Sequence, residues 1–225
     1  MGTGFGEEWG SLAQGDTRTG AKGTDSFMIL RPEQVPLIPN DRVVTYANIF
    51  VDYRPQKDDP NCVRITARSD LIIYPGELTT IIADITTSKI LCNCVLSTNN
   101  VKYICLDINF FYLCAPMSRY EYMKIPITIL PQDVKEEYNL LEKVYKGFVW
   151  IEIRRSIYGL PQSRKLANEY LQKKIAPHGY YEVKHTPGMW THITRPIQFS
   201  LVVDDFGVKY TRQKDVEHLL SVLEK

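Results

Sequence analysis

Three aspartates carry the sharpest chemical signal in this chain. Asp204 and Asp205 are adjacent and follow Phe199-Ser200-Leu201-Val202-Val203, a run that reads as a strand buried on both faces. Asp107 is the only charge in Tyr103-Ile104-Cys105-Leu106-Asp107-Ile108. An ionised carboxylate on a buried strand is costly unless something compensates it. A tight turn is one outlet, because Asp is favoured there and water is near. Taken alone, an Asp-Asp pair suits a solvated hairpin turn. Asp107 opens a second outlet: if its strand neighbours the hairpin, three carboxylates converge. Such acids repel and shift one another's pKa unless divalent cations neutralise them. Hard oxygen ligands with open positions suit Mg²⁺ and substrate phosphates. The chemistry implied is two-metal phosphoryl or nucleotidyl transfer, with ions roughly 3.5–4 Å apart. Side chains alternate along a strand, so Asp204 and Asp205 cannot both face Asp107 from a straight one. Asp204 is expected to be the firmer ligand, with Asp205 reaching the site through the bend.

Several elements must position these acids. Residues 103–108 form a short, almost wholly apolar run that fits a central strand. Residues 198–203 and 208–210 read as two strands joined by Asp204-Asp205-Phe206-Gly207 in a hairpin. Residues 83–96 read as a helix, with Asp84 near its start and Ile85, Ile90, Val95 and Leu96 for burial. Residues 133–145 are helical in pattern, and 148–153 alternate as a strand with Val149, Ile151 and Ile153 on one face. A strand pattern over 42–53 ends at the breaker Arg54-Pro55-Gln56-Lys57-Asp58-Asp59-Pro60. After the turn Gly159-Leu160-Pro161, Ser163 is a plausible N-cap for a helix to Ile175, and 215–223 close the chain as an amphipathic helix. The fold class is α+β. Seven of the thirteen glycines fall within the first 23 residues, so residues 1–26 are expected to be a flexible segment that buries little.

Composition narrows the classes. With 44% hydrophobic and 24% charged residues, the chain matches an ordinary globular protein. No stretch approaches the roughly 18–20 apolar residues of a membrane span, and no basic-then-apolar leader opens the chain. Membrane partners are not expected, and a cytoplasmic or nuclear setting is. Cys62, Cys92, Cys94, Cys105 and Cys114 are odd in number and lack CxxC spacing, which argues for reduced thiols rather than zinc. Net charge is +1, yet residues 140–185 hold nine Lys or Arg against four Glu, a local +5. Such a stretch either tracks a phosphate backbone or is an ordinary solvated face. No GxSxG stands in the chain, so a serine hydrolase has little support.

Several motifs together form a recognisable order. Leu201-Val202-Val203-Asp204-Asp205 resembles the x-x-Asp-Asp hairpin of reverse transcriptases, and Cys105-Leu106-Asp107-Ile108-Asn109-Phe110-Phe111-Tyr112 resembles their first acidic motif. Ile157-Tyr158-Gly159-Leu160-Pro161-Gln162-Ser163-Arg164 is similar to the YGLxQxxR block of copia-type retrotransposon polymerases. Asp52-Tyr53-Arg54-Pro55-Gln56-Lys57, Ser118-Arg119-Tyr120-Glu121-Tyr122-Met123, Thr186-Pro187-Gly188-Met189-Trp190-Thr191-His192 and the run 199–210 extend the likeness to residues 12–225. The sequence departs from that pattern at Val202, where many members have Tyr, at Asn109-Phe110 and at Arg68-Ser69.

The resemblance implies an RNA- and DNA-templated DNA polymerase. Fingers are expected over 27–100, and a palm over 101–225 built as an antiparallel sheet with helices packed on one face. No thumb is expected before the chain ends at Lys225. The resemblance further implies two Mg²⁺ ions, or Mn²⁺ in their place, bridged by Asp107 and Asp204. Asp205 is the weaker ligand in this picture, and the backbone carbonyl of Ile108 completes the shell. The partners it implies are an RNA or DNA primer–template and deoxynucleoside triphosphates. By position, Tyr112 corresponds to the aromatic that excludes a ribose 2′-hydroxyl, Gln162 to a glutamine contacting the incoming nucleotide, and Arg64 to a triphosphate-binding arginine. Lys57 is a weaker candidate for that last task. A second reading of the same residues is an inactive remnant that at most binds nucleic acid non-specifically.

Overall fold

Short alternating segments between turn-forming residues make this chain richer in strands than in helices. The computed structural model describes residues 2–56, 60–80, 82–108, 110–202 and 204–224. In chain order the first strands are β1 (Gly15–Asp16), β2 (Ala21–Lys22), β3 (Phe27–Ile29), β4 (Val44–Tyr53), β5 (Asn61–Ala67) and β6 (Lys102–Asp107). They are followed by β7 (Pro116–Pro126), β8 (Val144–Tyr145), β9 (Phe148–Arg155), β10 (Tyr180–Glu182), β11 (Met189–His192), β12 (Ile197–Val202) and β13 (Asp205–Tyr210). The helices are α1 (Gly2–Leu12), α2 (Ile85–Ser97), α3 (Gln132–Glu137), α4 (Ser163–Ile175) and α5 (Gln213–Glu224). The class is α+β.

Two compact units share this chain. One comprises Met1–Leu78 with Tyr112–Leu166, the other Thr79–Phe111 with Ala167–Lys225. This differs from the expected succession of 27–100 and then 101–225. The reason lies in pairing: β4 runs parallel to β7, with Val44 opposite Tyr122 and Tyr46 opposite Lys124. A strand from before residue 78 and one from after 112 therefore belong to a single sheet.

In the first unit the sheet order is β3-β9-β7-β4-β5, with β8 added to β9. Phe27, Ile65, Met123, Ile125, Val149, Ile151 and Ile153 form its core without exposure. The alternation expected over 148–153 is present in β9. The expectation of a flexible 1–26 segment is overturned. Phe5, Trp9 and Leu12 lie at spacings of four and three on α1, and all three are buried. Trp9 packs edge-on against Phe27, with ring centroids 5.1 Å apart, and against Tyr138 at 6.2 Å. Burying each of these side chains contributes ~1.5–3 kcal/mol, which outweighs the ~1 kcal/mol by which an interior glycine disfavours a helix. Gly10 is required where it stands, because a Cβ there meets the Asp16 Cβ at 2.6 Å. Glu8 then accepts the Ile65 N–H at 3.1 Å, which blocks the open edge of β5. The helix expected over 133–145 stops at Glu137, because Asn139 is left-handed at φ 49°; a 3₁₀ turn and β8 follow.

In the second unit the sheet order is β10-β11-β12-β13-β6, antiparallel throughout. One face carries Trp190, Phe199, Phe206 and Val208, all buried, with Trp190 stacked on Phe199. Helix α5 belongs to this face: the His218 ring stands 5.8 Å from Tyr180, which in turn neighbours Phe199. The opposite face carries Tyr103 and Cys105. A Cβ on Gly207 meets the Tyr103 hydroxyl at 2.1 Å and Ser200 Oγ at 2.9 Å, so the Tyr103 ring lies flat across β13. Burial and then the neighbouring Cys92 thiol push the Tyr103 hydroxyl pKa up, and α2 packs on β6, β12 and β13, which places it over this second face. Helices thus cover both faces of the sheet, not the single face expected. Asp84 caps α2, its carboxylate accepting the Thr87 N–H at 2.6 Å. The inward stripe of α2 centres on buried Leu91, flanked by half-buried Ser88 and Val95, whereas Ile85, Ile90 and Leu96 are exposed. Three of the four residues expected to be buried there therefore face outward.

Candidate carboxylate site

The hairpin of β12 and β13 is tighter than the sequence suggests. β12 ends at Val202, β13 begins at Asp205, and these two residues pair with each other; Asp204 lies in the turn between them. β6 pairs with β13 on its other side, and the last pair of that ladder is Asp205 with Asp107. Residues directly opposite in an antiparallel pair have Cα atoms about 4.5–5.5 Å apart and side chains on the same face. The chain thus brings together two of the three acids across neighbouring strands, and the third follows at once in the turn.

The register sets Asp205, not Asp204, opposite Asp107. Asp205 is in line with Asp107, while the half-buried Asp204 belongs to the turn. Asp107 is also exposed rather than interior, because β6 is the edge strand. Ile104 and Leu106 turn toward the core and are half-buried, leaving Tyr103, Cys105 and Asp107 on the outer face. Asp205 is exposed as well. Water therefore bears part of the cost of two like charges set directly opposite, a pairing that destabilises a sheet. The Ile108 carbonyl accepts the Phe111 N–H at 3.2 Å, with Phe110 left-handed at φ 59° in that turn. Its second lone pair stays open to another partner.

As a donor set, two exposed carboxylates fit the protein's share of a Mg²⁺ shell, since that ion keeps several waters and uses one or two carboxylates beside substrate phosphates. Among the described residues, no three His, Cys, Asp or Glu side chains gather closely enough to hold a metal ion.

Two of the other candidate residues meet in the first unit. Arg64, exposed on β5, sets its guanidinium carbon 5.2 Å from the centroid of the Tyr158 ring. Tyr112, buried in a 3₁₀ turn, stands edge-on to the same ring at 5.0 Å and 71°. Gln162 is fully buried, and its Nε2 donates to Glu121 Oε1 at 3.4 Å, while its own Oε1 has no partner. Lys57 lies outside the described residues.

Sequence reasoning gave no individual role to Glu121 or Tyr158, although both stand in its motifs. Burial pushes the Glu121 carboxyl above its usual range, against the pull of Arg119 and Arg42. Together with Arg119 it lines a cavity of about 300 Å³ walled by Val43, Ile72 and Ile73. The signal was present: Glu121, Met123 and Ile125 share one face of β7 by alternation, and only the first is polar. A second overlooked cluster joins His178, His192 and His218 around Tyr180, whose hydroxyl meets His218 Nδ1 at 3.0 Å.

No protein-family model matches this chain, and no curated protein matches it.

Proposed function

We propose that the chain is the fingers and palm of a copia-type reverse transcriptase, an RNA-directed DNA polymerase acting on a primer–template and deoxynucleoside triphosphates. The observation that carries this reading is the Asp205–Asp107 pair at the end of the β13–β6 ladder, with Asp204 beside it in the turn. Asp107 and Asp205 would hold Mg²⁺ or Mn²⁺, with the Ile108 carbonyl as a further donor and Asp204 joining only on a shift of the turn. Bound there, divalent ions supply charge neutralisation for the triphosphate and acidify the primer 3′-hydroxyl. The residues themselves act by positioning: Arg64 offers a forked donor to phosphate oxygens, and Tyr112 sets a wall beside the sugar. Gln162 keeps its Nε2 on Glu121 and has its Oε1 left to accept from a nucleotide. The setting in this reading is the cytoplasm, with a virus-like particle or the nucleus as alternatives.

Primer extension on an RNA template tests this. Wild type should add deoxynucleotides with Mg²⁺ or Mn²⁺, and Asp107→Asn, Asp204→Asn and Asp205→Asn should each abolish the addition. Extension that persists in all three variants sinks the reading.

One observation favours a second reading, a non-catalytic chain that binds nucleic acid through residues 140–185. It is the excess of nine Lys or Arg over four Glu in that stretch. Binding of that kind falls steeply with salt and ignores the three aspartates.

A further inference from the structure

We propose that Tyr158 is a positioning residue whose ring sets Arg64 and Tyr112 relative to each other, and so fixes the sugar and phosphate sides of a nucleotide site. This rests on the nucleotide-binding reading above.

Arg64 comes from β5 and Tyr112 from a turn far along the chain, and Tyr158 belongs to neither segment. Yet the guanidinium lies at one contact of the Tyr158 ring, 5.2 Å from its centroid, and the Tyr112 ring at another, 5.0 Å away at 71°. A cation over a ring and an edge-to-face ring pair are both favourable contacts of a π system. One half-buried ring therefore holds both groups.

The ring itself is anchored through its backbone. The Tyr158 carbonyl accepts the Ala67 N–H at 2.9 Å, three residues beyond Arg64 on the same strand. Gly159 follows at φ 91°, and a Cβ there meets the Ala67 carbonyl oxygen at 2.0 Å, so only glycine lets the turn lie flush on β5. Downstream, Ser163 Oγ donates to the Ile157 carbonyl at 2.6 Å, closing the loop that carries Gln162. The turn is thus braced on both sides of Tyr158, and the ring inherits that fixity. A wall that excludes one hydroxyl group works only if it is held to a fraction of an ångström. Removing the ring withdraws this shared contact from Arg64 and Tyr112 while leaving their own chemistry intact.

Equilibrium dialysis of the full chain with a chain-terminated primer on an RNA template, Mn²⁺ and radiolabelled dGTP or GTP tests this. Wild type should bind dGTP in preference to GTP, and Tyr158→Phe should match it in both affinity and preference. Tyr158→Leu should lose about tenfold in dGTP affinity and most of the preference. Tyr158→Trp, which keeps a π face and is the safer folder, should retain affinity but shift the preference. If wild type discriminates and the Leu and Trp variants discriminate equally well, Tyr158 has no positioning role and the nucleotide reading survives. A Phe variant as damaged as the Leu variant assigns the effect to the hydroxyl and overturns the proposal. Wild type that binds neither nucleotide removes the nucleotide reading, and this inference with it.

Discussion

Asp107 and Asp205 face each other as like charges on adjacent strands, and an arrangement kept for cation binding leaves the cation-free protein strained. Replacing either by Asn removes one charge while preserving shape. At about 5 Å, two unit charges repel by ~0.8 kcal/mol in water and ~3 kcal/mol at an effective dielectric of about 20. Both residues are exposed, so the lower end applies, in line with the ~0.2–1 kcal/mol typical of cross-strand pairs. Asp107→Asn or Asp205→Asn should therefore stabilise the chelator-treated protein by ~0.5–1 kcal/mol, or about 1–4 °C in melting temperature. The double variant should gain no more than either single one, because the repulsion is already gone. In 1 M salt the Debye length falls to about 3 Å, shorter than the separation, and the gain should largely vanish. Added Mn²⁺ should stabilise wild type, by about 1.4 kcal/mol at ten times its Kd, and leave the variants unmoved. Thermal denaturation in EDTA at low and high salt reads all of this. Variants that are neutral or destabilised at low salt refute the reasoning.

Two further outcomes follow from other parts of the fold. Trp9→Ala should cost ~3–5 kcal/mol in urea unfolding, since the ring is fully buried between Phe27 and Tyr138; a loose tail would lose under ~0.5 kcal/mol. The His218 imidazole is held below its ordinary pKa, first by burial and then by the charges of Arg195, His192 and His178, with Asp215 opposing. Its folded pKa lies below its unfolded one, so the fold favours the neutral ring. That contribution is complete above about pH 6.5 and is lost as pH falls below it. Asp215, kept below its usual value despite burial by Arg212 and Arg195, yields its own contribution only in far stronger acid. Glu8 and Glu121, both raised by burial, act in the opposite sense. The comparison is therefore the urea midpoint at pH 7.5 and 5.0 in wild type against His218→Gln, and the variant should lose less on acidification.

Local pattern made α2, α4, β9 and the Asp204–Asp205 hairpin legible, because each is set by neighbours within a few residues. Ser163–Ile175 agrees with the reading, although Ser163 Oγ donates to the Ile157 carbonyl instead of capping the helix. The N-terminal helix escaped notice because its glycines hid the Phe5, Trp9, Leu12 spacing. What no local pattern carries is which strand lies beside which. The apolar run 103–108 suits an edge as well as a centre once Tyr103 folds across Gly207, and the parallel β4–β7 pair joins segments far apart in sequence. For the same reason the meeting of Arg64 and Tyr112 at Tyr158 could not be read beforehand. The hairpin turn is shorter than the expected 204–207 connection, since Val202 pairs with Asp205.

The most direct test is to titrate the purified chain with Mn²⁺ and follow the free ion by electron paramagnetic resonance. A paired Asp107–Asp205 platform should draw Mn²⁺ out of solution, and Asp107→Asn and Asp205→Asn should each release it. A wild-type chain that leaves the Mn²⁺ signal untouched, or variants that take up as much as wild type, would contradict the account.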